Sequence, residues 1–191
     1  MKLVFILILI LISLFSLSNF SQNKLSKERL LKDFRGVKWG TPKNKVKSIV
    51  KDYYLQEYSG FGTEALCYKG SIAGIVARID YNFKNNKLVD GLYSINPNSS
   101  FHEDFKLLRD FLINEYGQPD IKVGPDVDSS ETWKKENNYA RFRGPELYWS
   151  FKNGFVGLHA SKFKDDITIN VLYVEGKTVE EFYKESMVPL E

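Results

Sequence analysis

The stretch Gly74-Ile-Val-Ala-Arg-Ile-Asp-Tyr-Asn-Phe83 limits the fold more than any other part of the chain. Ile75, Ala77, Ile79, Tyr81 and Phe83 alternate strictly with Val76, Arg78, Asp80 and Asn82, the period of a half-buried strand. Lys84-Asn85-Asn86-Lys87 follows, and Asn tolerates the positive φ that a tight hairpin turn needs. Residues 88–95 then return as the partner strand. One apolar face and one wet face predict an antiparallel sheet covered on a single side.

Helices to cover that side are visible in the sequence. Thr41 reads as an N-cap and Pro42 as a first helical residue, whose missing N–H costs nothing there. Val46, Ile49, Val50 and Tyr53 then form a stripe at helical spacing, and Trp39 folds back onto it. Ser100 and Glu103 make a capping box for a second helix with Phe101, Phe105, Leu108 and Leu112 on one side. Gly117 and Pro119 stop it. Between the first helix and the sheet, residues 55–64 (LQEYSGFGTE) read as a Tyr-rich loop. Five short strands follow the second helix, two of them joined by a turn at Lys152-Asn153-Gly154. Thr178 and Glu181 cap a last helix that buries Val179 and Phe182.

The expected fold is therefore α+β, with helices layered on one face of a twisted antiparallel sheet. Phe83-Lys84-Asn85 and Phe151-Lys152-Asn153 echo each other within similar hairpins, which suggests two pseudo-repeats of helix plus strands.

The N-terminal residues set the destination. Residues 3–17 are an unbroken run of apolar residues and Ser behind Lys2. The run is short of the roughly 20 residues a membrane span needs and matches a signal-peptide core. The expected organisation is a signal peptide over residues 1–21, a basic segment over 22–33 and a single α+β domain over 34–191, giving an exported, periplasmic or secreted protein. Lys24, Lys27, Arg29 and Lys32 follow the run closely, and such positive flanks normally stay cytoplasmic, so an uncleaved N-terminal anchor is the alternative. Without Lys2 the chain holds 26 basic and 24 acidic residues, a balance that argues against nucleic acid as a partner. The basic excess between Lys24 and Lys51 allows a weak contact with anionic membrane surfaces.

The Trp39-Gly40-Thr41-Pro42 corner, a second helix ending in Tyr116-Gly117-Gln118-Pro119, and Trp133 on the strand after it form a pattern. It resembles that of small exported bacterial domains of the β-lactamase-inhibitor and small outer-membrane lipoprotein type. The resemblance covers residues 34–175. It implies a helix layer over an antiparallel sheet, and a binding or envelope-assembly role rather than catalysis. The chain departs from the lipoprotein members in having no Cys after the apolar run, and from the inhibitor type in having no paired cysteines.

Chemistry-bearing motifs are few. Cys67 is the single cysteine and, between Leu66 and Tyr68, reads as a small buried hydrophobe. The spacing of His102 and His159 gives no zinc motif, and no Gly-rich phosphate loop follows a strand. Asp126, Asp128, Ser130 and Glu131 offer oxygens to a cation, but an EF-hand needs Gly where Glu131 stands and Glu where Asn137 stands. No metal or cofactor is expected. The aromatic residues are the stronger feature. Tyr54 directly precedes the Tyr-rich loop and Tyr58 and Phe61 fall in it, and Tyr139, Arg141, Arg143 and Tyr148 read as one solvent-facing side of a later sheet segment. Tyr and Arg together have the composition of a protein-binding hot spot. The expected function is a non-enzymatic exported binding domain that presents this sheet face or the loop to a protein or cell-envelope partner. The alternative is a hydrolase or lyase built on His159 with a nearby carboxylate.

Overall fold

The computed structural model describes residues 29–60, 63–97, 100–127, 134–136 and 141–186, without the side chains of 134–136 and 141–143. The elements run β1 (Asp33–Phe34), β2 (Val37–Lys38), α1 (Lys43–Ile49), β3 (Tyr53–Gly60), β4 (Thr63–Ile72), β5 (Ile75–Lys84), β6 (Lys87–Ile95), α2 (Phe101–Tyr116), β7 (Ile121–Val123), β8 (Lys134–Glu136), β9 (Arg141–Phe151), β10 (Gly154–Phe163), β11 (Asp166–Glu175) and α3 (Val179–Ser186). The expected signal peptide or anchor, and most of the basic segment, lie outside the described residues.

The fold is mainly β, which corrects the expected α+β layering. A nine-stranded antiparallel sheet runs in the order β3-β4-β5-β6-β11-β10-β9-β7, with β8 also paired to β9. Two meanders meet where β6 pairs β11, from Ile95↔Ile169 to Asp90↔Val174. The expected helix-plus-strands repeat does not describe this architecture. α1 has only seven residues and buries only Val46, whereas α2 has sixteen and buries Phe101, Phe105, Leu108 and Leu112. Each of those four contributes about 1.5–3 kcal/mol by leaving water. Nor do the helices share one face. α2, α1 and the β1–β2 hairpin pack with Ile79, Tyr81, Trp149, Leu158 and Val171. α3 packs on the opposite face, against Tyr148, Phe155, Leu172 and Val174.

The β5–β6 hairpin forms as its sequence dictates, with Asn85 and Asn86 at φ 52° and 60°. The same turn organises the Trp-Gly-Thr-Pro corner. Asn86 Oδ1 accepts from the Lys43 N–H at 3.2 Å, and the Leu88 N–H donates to the Thr41 carbonyl. Thr41 is therefore not the N-cap. Its hydroxyl donates back to the Lys38 carbonyl at 2.7 Å, and Pro42 holds the cap position in extended conformation. Ile49 and Tyr53, expected on the buried stripe, are exposed, because the helix ends at Ile49 and Tyr53 already belongs to β3. Trp39 Nε1 donates to the Leu31 carbonyl. At the other hairpin, Asn153 serves through its side-chain amide: it accepts from the Leu31 N–H and donates to the Leu31 carbonyl. This tie brings Leu31 into the core.

Candidate functional site

Tyr54 and Tyr58 do not lie in a loop. They sit on β3, the outermost strand, all eight residues of which are exposed. Among the described residues β3 pairs with β4 alone, with a bulge between Tyr54 and Gln56. Tyr53 is 73% exposed, and Tyr54, Leu55 and Tyr58 are between 39% and 45% exposed. Strand edges are normally guarded by Lys, Pro or bulges; β3 has the bulge but neither Lys nor Pro. Two of its side chains are braced from α1. Lys43 Nζ donates to Glu57 at 2.7 Å and also pairs with Glu64, and Lys47 Nζ stands 4.8 Å above the Tyr54 ring. These contacts hold Lys43 and Lys47, which were counted in the basic stretch suited to a membrane surface. Phe61 lies outside the described residues.

Of the other expected cluster, only the Tyr148 side chain lies within the described residues. Tyr148 is buried, not solvent-facing. Its ring crosses Gly157 on β10, where a Cβ would come within 2.9 Å of it, and α3 closes over it. Its hydroxyl donates to Glu146 Oε2 at 2.7 Å and lies 3.1 Å from the Tyr183 hydroxyl, which bonds the same carboxylate. Burial above all, with the Glu146 charge second, pushes the Tyr148 phenol far above its usual range. Tyr148 and Trp149 do alternate between the two faces, but the second face is covered as well. Tyr139 and the Arg141 and Arg143 side chains lie outside the described residues; the two arginines belong to β9.

The half of this second face that α3 leaves open is polar. Sheet register aligns Glu146, His159, Asn170, Ser94, Arg78 and Lys69 in one row across β9-β10-β11-β6-β5-β4. Ser94 Oγ donates to Asn170 Oδ1 at 3.0 Å, and Asn82 donates to Asp90. Arg78 Nε donates to the buried Asp80 at 2.9 Å and Nη2 reaches Cys67 Sγ at 3.8 Å. Burial, reinforced by a hydrogen bond to Asp80, pushes the Cys67 thiol up to about 12. Between this face and α3 runs a groove of about 930 Å³ whose lining includes Asp90, His159, Asn170, Leu172 and Phe182. Sequence reading named His159 but missed Asp90 and Asn170. The sequence carried no signal for them, because only the long-range pairing of β6 with β11 makes their strands central.

His102 is exposed in the first turn of α2. Of the acidic loop considered for a cation, Asp128, Ser130 and Glu131 lie outside the described residues. Among the described residues no helix is long and apolar enough to cross a membrane, which says nothing of strands.

No family model and no curated protein matches the chain. Among solved structures, it aligns with an extracellular protein containing a SCP domain from Bacillus anthracis str. Ames, at 11% identity and a TM-score of 0.38. The alignment covers 81% of this chain and 51% of that one, so the chain spans about half the length of that protein. Likeness at this level assigns neither fold nor function.

Proposed function

We propose that the chain is an exported binding domain that takes up an extended segment of a partner protein along β3. The observation that carries this reading is an eight-residue edge strand with every residue exposed, bearing Tyr53, Tyr54, Leu55 and Tyr58. A strand of that length presents about 27 Å of backbone whose outward N–H and C=O groups have no strand partner among the described residues. Adding a strand satisfies those groups, and the rigid tyrosines supply contact area at low entropy cost. Tyr53 and Tyr58 lie on one side of the strand, opposite Lys69 and Ala65, and Tyr54 on the other, opposite Tyr68. A docked segment therefore meets rings on both faces. The apolar run at residues 3–17 supports export of the chain, and with it a partner outside the cytoplasm.

A hydrolase or lyase built on His159 has less support. His159 does share its groove with a carboxylate, Asp90, but one Asp90 oxygen is held by Asn82. Glu146, paired with His159 in register, is engaged by the Tyr148 and Tyr183 hydroxyls.

The test is selection of a displayed random dodecapeptide library on the immobilised full chain, followed by hydrogen exchange of the complex. The reading expects enriched peptides with alternating apolar residues, and slowed exchange confined to β3 and its neighbour β4. Enrichment of peptides that protect another surface, or no enrichment at all, overturns it.

A further inference from the structure

We infer that the groove between α3 and the open half of the second sheet face is a binding site for a neutral pyranose oligosaccharide. This site is separate from β3, so either can fail without the other.

Polar side chains on central strands carry the inference. An antiparallel sheet commonly turns one face to water; this face differs in being walled by α3 and in having its polar side chains fixed by neighbours. Here Asp90 and Asn170 sit on β6 and β11, the two strands at the centre of the sheet. Each is anchored by a neighbour rather than left mobile. Ser94 takes up the Asn170 carbonyl oxygen, which leaves the amide Nδ2 hydrogens for the groove. Asn82 fixes one oxygen of Asp90, which leaves the second carboxylate oxygen as an acceptor. His159, on β10 opposite Asn170, lines the same groove. Fixed donors and acceptors side by side are what vicinal hydroxyls require, since each hydroxyl both gives and accepts a hydrogen bond. Adjacent strands lie about 4.8 Å apart, comparable to the length of one pyranose ring.

The remaining lining fits the same ligand class. Leu92, Leu172 and Phe182 offer apolar surface against which the C–H face of a sugar can lie. On the rim Lys84 and Lys177 balance Glu175 and Glu185, with Lys177 Nζ held by Glu185 at 2.5 Å, so the rim itself selects no ion. A peptide is disfavoured because the groove crosses paired strands and exposes no free strand edge for main-chain pairing. The volume lies within the roughly 300–1,000 Å³ of small-molecule sites.

The experiment is a two-dimensional amide NMR titration of the full chain with cellotetraose, chitotetraose and mannotetraose, and with tetra-alanine as the neutral peptide control. The expected result is saturable shifts on β6, β10, β11 and α3 with at least one saccharide and none with tetra-alanine. Asn170→Ala and Asp90→Asn should each weaken that binding roughly tenfold, as loss of one polar contact predicts. Asp90→Asn keeps the oxygen that Asn82 bonds, so it holds the fold even if the alanine variant does not. No saturable shift with any of the three saccharides overturns the proposal. So do shifts elsewhere, binding of tetra-alanine in the groove, or unchanged affinity in Asp90→Asn.

Discussion

The Phe34 ring occupies the space that a side chain at residue 91 would take: a Cβ on Gly91 would stand 2.2 Å from its Cδ1. Phe34 is fully buried, edge-on to Tyr81 and Tyr93 at 5.0 and 5.3 Å. This one ring keys the β1–β2 hairpin to the centre of the sheet. Gly91→Ala is expected to cost about 1–3 kcal/mol, the usual range for overpacking, because the ring has nowhere to retreat. Urea unfolding measures it; a loss under half a kcal/mol would show that the hairpin is not keyed there.

Tyr148→Phe tests the covered second face. The buried Glu146 keeps Tyr183 as a donor but loses Tyr148, so about 1–2 kcal/mol of stability should go. Tyr53→Phe, on the exposed edge, should change stability by less than about half a kcal/mol. Equal effects would mean that α3 does not close over Tyr148.

Cys67 should behave as an inert thiol. It is fully buried, and its thiol is held up at about 12, so hardly any thiolate exists at pH 8. A thiol-exchange reagent should titrate no thiol in the folded protein and one per chain in strong denaturant. Prompt native-state labelling would contradict this packing.

Asp90→Asn should raise the unfolding temperature at pH 7. Burial lifts the Asp90 carboxyl above its usual range, although the Asn82 hydrogen bond and Lys177 partly oppose this and Asp80 adds to it. A carboxyl with a raised folded pKa costs stability when ionised. That cost is complete above the folded pKa, shrinks as pH falls through it, and is absent below the unfolded value of 3.8. The gain from Asn should therefore fade in acid. A gain that persists at pH 3, measured by thermal unfolding across pH, would assign it to something other than the charge.

Local rules made part of this fold legible. The alternation of β5, the Asn85-Asn86 turn and the Thr178–Glu181 box, whose two reciprocal hydrogen bonds are 2.8 and 3.2 Å, depend on residues close in sequence. β3 was not legible. Its Gly, Ser and Gln read as loop, and the bulge after Tyr54 breaks the period that identifies a strand. The cap of α1 was also hidden, since Asn86 reaches it from a distant hairpin. Tyr148 shows the deeper reason. Alternation tells which side chains share a face, but whether that face is wet depends on α3, some thirty residues later. The groove was invisible for the same cause: Asp90, Asn170 and His159 meet only because β6 pairs β11.

The most direct test of the docking strand compares one selected peptide on the native chain and on the double variant Tyr53→Lys, Leu55→Lys. Both side chains are exposed, so the melting temperature should hold, while charge on the edge opposes strand addition. Kd should rise at least tenfold in the variant. Equal affinity in a variant that melts like the native protein would contradict it.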